Sequence, residues 1–137
     1  MPLLFSEGVG KGRLDLNRFV ALTATNHARL YGLYPKKGTI AVGSDADIAI
    51  WDPDKEVTVR AADIHDNVGY TPYEGMHLKG WPVTVLSRGR TVIDNGQLHV
   101  DRGSGNFLPC ALSDAARPLG RATPELAFAA RGGQPLL

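Results

Sequence analysis

Gly38-Thr39-Ile40-Ala41-Val42-Gly43-Ser44-Asp45-Ala46-Asp47-Ile48-Ala49-Ile50-Trp51-Asp52 divides the chain into two kinds of sequence. Before this stretch the apolar residues recur at helical spacing; after it they alternate and are broken by turns. Gly38 and Gly43 bracket a run containing β-branched residues, and a glycine can turn the chain without a Cβ clash. Asp45 and Asp47 can accept hydrogen bonds from nearby backbone amides and so shape a tight turn ahead of Ile48 and Ile50. The stretch reads first as a turn feeding a buried strand. The same two carboxylates are also the best-placed acid pair in the chain, as metal ligands or as a general acid/base couple.

Working back from Gly38, Pro35 forbids helix and Gly32 is a natural helix stop. Asp15 stands where an N-cap should, ahead of Leu16, Phe19, Val20 and Thr23 on one stripe. The pattern predicts a helix, a break near Thr25, and a second short helix capped by Thr25 or Asn26 and running through Ala28, Leu30 and Tyr31. Residues 6–14, with glycines at 8, 10 and 12, read as a loop.

Working forward, Ile48–Ile50 and Val57–Val59 read as two strands around an Asp52-Pro53-Asp54-Lys55 turn, and Arg60–His65 as a helical turn. Residues 66–75 form a polar, aromatic loop. Strands are predicted over Pro82–Ser87, Thr91–Ile93 and Gln97–Val100, with turns at Arg88-Gly89-Arg90 and Asp94-Asn95-Gly96. The second turn has the chemistry of a primed hairpin, so these strands form a meander. Beyond Ala111 the chain reads as an Ala-, Gly-, Pro- and Arg-rich tail, with one helical turn behind Thr123 and Pro124.

Bulk properties narrow the function classes. The 137 residues fit one ordinary domain or part of a larger one, and 43% hydrophobic with 21% charged residues is a globular composition. A formal charge of +1 supplies no field for nucleic acid or membrane binding. The single cysteine, Cys110, has no internal disulfide partner, which suits a reducing compartment. Met1-Pro2-Leu3-Leu4-Phe5 lacks the basic start of a signal peptide, and no apolar run approaches the roughly 20 residues of a membrane span. The expectation is a cytoplasmic protein.

Residues with catalytic chemistry are present, but no complete site is. His27, His65, His77 and His99 show neither His-x-His nor His-x-x-x-His spacing. Cys110 has no glycine-rich elbow or positioned base. Gly8-Val9-Gly10-Lys11-Gly12 lacks the preceding strand of a phosphate loop. Tyr70, Tyr73 and Trp81 suit burial of a loop against strands, and Glu74 has no evident acid/base partner. The reading names no catalytic, substrate-binding or metal-ligating residue.

Several segments taken together resemble a known family. Leu16-Asn17-Arg18-Phe19-Val20-Ala21-Leu22-Thr23-Ala24-Thr25-Asn26, then Ala28 through Ile40, is similar to dihydropyrimidinases and D-hydantoinases of the amidohydrolase superfamily. Lys37–Ile48 with Trp51-Asp52-Pro53 is the pattern shared widely across that superfamily. Tyr73-Glu74-Gly75, Gly80-x-Pro82, Arg88-Gly89 and Gly103-Ser104-Gly105-x-Phe107 point to the hydantoinase and dihydropyrimidinase branch. The Asn67–Pro72 loop and Cys110 depart from the commoner pattern, which bears on the substrate subgroup.

The resemblance implies an α+β, mostly β chain: the C-terminal part of the β-sandwich of a composite amidohydrolase, preceded by the last helices of its (β/α)8 barrel. Residues 1–34 would be the terminal barrel segment, 35–110 the C-terminal share of the sandwich, and 111–137 a tail packed on the barrel or a neighbouring subunit of a tetramer. Such enzymes open cyclic amide rings with two zinc ions and a bridging carboxylated lysine, and none of those ligands maps onto this chain. The expected role is therefore structural: a fragment that binds no cofactor, is inactive alone, and has the remainder of the barrel as its partner. A non-catalytic dihydropyrimidinase-like assembly module is the alternative, and a stand-alone β-rich binding domain a third.

Overall fold

The computed structural model of the chain describes residues 1–66 and 68–113. The helical turn expected behind Thr123, most of the expected tail and Asn67 lie outside the described residues.

The first element corrects the front of the expected loop over residues 6–14, of which residues 10–14 are turns and bends as expected. Helix α1, Pro2–Leu4, has proline in its first turn and runs on into a π-helical turn over Phe5–Val9. The glycines argue against helix locally, but burial of Phe5 and Ser6 against the sheet outweighs that cost. Helix α2, Leu16–Val20, begins as its sequence dictates: the Asp15 carboxylate accepts the Arg18 amide at 2.7 Å.

No break follows at Thr25. A π-helical turn over Ala21–Thr25 joins α2 to α3, Asn26–Leu30, in one continuous helical run. Thr25 is not a cap, because its backbone is helical and its hydroxyl donates to the Gly38 carbonyl at 2.7 Å. The Thr23 hydroxyl donates to the Phe19 carbonyl at 2.8 Å, sharing a helix acceptor where the ladder widens. The stop at Gly32 is as expected. Gly32 takes φ +66, its amide donates to Arg29, and the Leu33 amide donates to Ala28, which is a Schellman cap.

Among the described residues four antiparallel strands follow in the order β1-β2-β3-β4: β1 Ile48–Thr58, β2 His77–Ser87, β3 Arg90–Asp94 and β4 Gln97–Leu98. The expected meander is present, with β2 starting earlier and β4 shorter than the sequence suggests. The two strands expected around Asp52–Lys55 are one. Asp52 pairs with Trp81 and Glu56 with Lys79, so Pro53, Asp54 and Lys55 bulge opposite Gly80 alone. Asp52 Oδ1 accepts the Asp54 and Lys55 amides at 2.9 and 3.2 Å, so the predicted turn exists inside a strand. Positive φ at Arg88 and Gly89, and at Asn95 and Gly96, gives both hairpins the primed form that matches strand twist. A 3₁₀ turn over Ala61–Asp63 stands where the helical turn was predicted.

The core is small and aromatic. Phe5 stacks on Trp51 with centroids 4.7 Å apart, and Phe19 meets both rings edge-on at 5.4 and 5.6 Å. The Lys79 amide donates to Ser6 Oγ at 3.1 Å, fixing the first helical turn on β2. Other apolar residues correct the expected burial. The run that Gly38 and Gly43 bracket forms no strand, and its Ile40 and Val42 are 83% and 108% exposed. Leu16 and Val20, on the expected stripe, are exposed beside buried Phe19, and Ile50 is exposed on what was read as a buried strand. Tyr70 and Tyr73 also face solvent rather than packing their loop on the sheet.

Candidate functional site

Lys37 stands between the two carboxylates that the sequence singled out. Its Nζ lies 2.9 Å from Asp45 Oδ2 and donates to Asp47 Oδ2. The second oxygen of Asp47 accepts the Arg88 amide at 2.8 Å, and the Ala46 carbonyl accepts the Gly89 amide at 3.0 Å. Asp45 donates its amide to Lys36 at 2.9 Å. Asp45-Ala46-Asp47 thus ties the segment after the helices to the β2–β3 turn.

The electrostatics agree with a structural clamp. Partial burial pushes the Asp47 carboxyl up, but the Lys37 and Arg88 hydrogen bonds and both cations outweigh it and hold it below its usual value. Burial pushes Lys37 down, yet its hydrogen bonds to Asp47 and Asp45 and their charges raise it above the ordinary lysine value. An ammonium occupies the space between the acids where a shared metal would sit.

The remaining candidates lie apart. His77 Nδ1 is 2.8 Å from the Thr58 hydroxyl, and His65 Nε2 is 3.1 Å from the Gly96 carbonyl. His27 stacks on Tyr31, and His99 lines a cavity beyond the β2–β3 turn. The Glu74 carboxylate accepts the Ala61 amide at 2.7 Å, so it closes the 3₁₀ turn. Cys110 is exposed, and the Gly8–Gly12 segment lies across the end of the first helical run and the turn behind it.

These donors do not fit a two-metal centre. Among the described residues no three His, Cys, Asp or Glu side chains come together as a metal-binding group. A bridging lysine carbamate forms from a neutral amine. Lys37 is held as a charged ammonium by two carboxylates, and Asp54 likewise holds Lys79 charged. No step of metal chemistry is derived for this chain.

Sequence reasoning missed the residues that join the helices to the sheet. Phe5, Phe19, Trp51 and Gly80 form that joint. A β-carbon at Gly80, whose φ is +91, would stand 2.2 Å from the Phe5 ring. Its sequence signals were Phe19 on the apolar stripe and the Gly80-x-Pro82 motif.

The profile of the amidohydrolase family matches residues 2–92. The dihydropyrimidinase of Rattus norvegicus is 49% identical over 109 residues, covering 80% of this chain and 21% of that protein. The D-hydantoinase of Geobacillus stearothermophilus is 50% identical over 108 residues, covering 79% of this chain and 23% of the relative. The crystal structure of dihydropyrimidinase from Brevibacillus agri superposes with a TM-score of 0.78 at 48% identity, over 85% of this chain and 25% of that one. This chain therefore spans a fifth to a quarter of the length of the relatives it matches. It belongs to the amidohydrolase family, where the proteins it resembles are dihydropyrimidinases and D-hydantoinases.

Proposed function

We propose that this chain is the C-terminal part of a metal-dependent hydrolase that opens the ring C–N bond of cyclic amides of the dihydropyrimidine and hydantoin class. Residues 1–34 are then the end of the barrel, 35–110 the C-terminal share of the sandwich, and 111–137 a tail available to a neighbouring subunit of a tetramer. The chain supplies architecture; the zinc ions and the bridging carboxylated lysine belong to the rest of the enzyme, which this reading places in the cytoplasm.

The observation that carries the proposal is the combination of about half identity over most of this chain with coverage of no more than a quarter of each relative. The exposed run Ile40–Val42 supports it, since apolar side chains this open are surfaces that another segment covers. The aromatic joint supports it too, because it sets the angle between helices and sheet by ring packing.

The test is complementation. The Brevibacillus agri dihydropyrimidinase is truncated to remove the segment that this chain matches, and ring opening of dihydrouracil and hydantoin is followed with and without this chain. The chain alone is expected to show no turnover, and the mixture to recover zinc-dependent ring opening. Turnover by the chain alone overturns the structural role. A stable but inactive mixture favours the non-catalytic assembly module.

A further inference from the structure

Beyond the β2–β3 turn the structure holds an open cup of about 270 Å³, between that hairpin and the segment from His99 to Asn106. Lys37, Arg88, Arg90 and His99 line it together with hydrogen-bonding groups such as Thr91 and Asn106, and no acidic side chain is among its lining residues. The chain as a whole carries a formal charge of only +1, so this concentration of Lys37, Arg88 and Arg90 is local.

The charges are not equivalent. Lys37 is compensated by Asp45 and Asp47. Among the described residues Arg90 has only Asp101, 3.9 Å away and 90% exposed, a pair too open and too long to neutralise it in water. Arg88 has no carboxylate on its guanidinium among the described residues. Its Nη2 donates to the Ser104 carbonyl at 2.6 Å, and its Nη1 donates at 3.0 Å to the Asn106 side-chain oxygen in the amide orientation that satisfies both Asn106 atoms. Neutral acceptors position that guanidinium without cancelling its charge.

Backbone geometry fixes where that side chain starts. Arg88 holds φ +50, a conformation that costs an L-residue with a long side chain and that glycine or asparagine adopts more cheaply. The Asp47 carboxylate on its amide and the Ser104 and Asn106 contacts on its side chain hold it there. The primed β2–β3 hairpin requires this conformation, and it sets the Arg88 side chain on the Ser104–Asn106 segment.

We propose that this cup binds a small oxyanion, a carboxylate or a phosphate. Arg90 and His99 contact the ligand, Thr91 and Asn106 offer further polar contacts, and Arg88 is the positioning residue that holds the far wall and contributes field. The volume falls at or below the small end of ligand pockets, which suits a compact anion rather than a large molecule. The proposal does not rest on the ring-opening reading.

Equilibrium dialysis of the full chain against labelled inorganic phosphate, and separately labelled acetate, tests this in a constant sodium chloride background. Saturable uptake is expected, with Arg90→Gln weakening it about tenfold by removing a charge-assisted fork. His99→Gln weakens it less, and Lys55→Gln on the distant bulge leaves it unchanged. Circular dichroism checks the fold of each variant; if Arg90→Gln perturbs it, Arg90→Lys, which keeps the charge and loses the fork, replaces it. Tighter uptake in the phosphate arm assigns a phosphate ligand, and tighter uptake in the acetate arm a carboxylate. Uptake that never saturates, or that Lys55→Gln reduces as much as Arg90→Gln, overturns the proposal.

Discussion

Gly80 presses its bare backbone on the ring of Phe5: a β-carbon at 80 would lie 2.2 Å from Phe5 Cδ1 and 2.3 Å from Cε1. Ring and backbone meet where β2 faces the bulge of β1, so the first helical run and the sheet share one contact point.

Gly80→Ala should therefore be far more damaging than a surface substitution. It adds a clash with a buried ring and places an L-residue at φ +91, for a combined cost of about 2–4 kcal/mol. Urea unfolding measures the loss. Trp51 fluorescence should change in the folded baseline, because Phe5 stacks on that indole. An unchanged midpoint would mean that the helical run does not seat on Gly80.

Phe19 meets Phe5 and Trp51 edge-on and is 5% exposed. Phe19→Ala should cost about 3–5 kcal/mol, whereas truncating Leu16, 60% exposed on the same helix, should cost under about 0.5 kcal/mol. Comparing the two in one denaturant series separates burial from helix propensity, which favours alanine at both positions.

The Lys37–Asp47 clamp predicts two limbs of pH dependence. Asp47 is depressed on folding, so its contribution is present above its unfolded value of about 3.8 and is lost as pH falls through its lower folded value. Lys37 is raised on folding, so its contribution is complete below about 10.5 and is lost as pH rises through its higher folded value. Asp47→Asn should flatten part of the acid limb and cost about 1 kcal/mol or less at neutral pH, because the pair is partly solvated. Unfolding midpoints against pH, wild type beside Asp47→Asn, make the comparison.

Zinc should be irrelevant to the stability of this chain. Asp47, His77, Glu74 and His65 are engaged by Lys37, Arg88, Thr58, Ala61 and Gly96, and among the described residues no three His, Cys, Asp or Glu side chains group around a metal. Dialysis against a chelator should leave the unfolding midpoint unchanged, and inductively coupled plasma analysis should find zinc well below one equivalent. A midpoint that drops with chelator would reveal a ligand set that these residues do not form.

What could be read from the sequence was local. The Asp15 cap, the Gly32 stop and the Asn95-Gly96 turn each depend on residues within a few positions, and each appears as expected. Phe5–Val9 misled because Gly8, with Gly10 and Gly12 behind it, speaks for a loop, while Ser6 is held by Lys79, 73 positions away. The Asp52 turn was read correctly, yet strand pairing resumes beyond it, which only the register with β2 determines. Thr39–Val42 has the composition of a strand but has no strand partner among the described residues, and composition cannot supply one.

The clamp divided in the same way. Asp45 and Asp47 could be read as turn-formers from their own neighbourhood. That Asp47 serves the Arg88 amide, 41 positions on, could not. Arg88 is legible as part of a turn and of a family motif; its positive φ depends on a hairpin whose strands must first pair.

The bulge in β1 also polices the sheet's free edge. Among the described residues β1 is an outer strand, and outer strands invite pairing with other chains. Over Asp52–Glu56 that edge is spoiled by a proline without an amide hydrogen, four charged side chains and a kink. Over Ile48–Trp51 it has no such gatekeepers, and Ile50 is half exposed. Any strand that adds to this sheet through β1 is thus admitted at one end and refused at the other, so the irregularity that seats the helices also sets the register for whatever docks beside them.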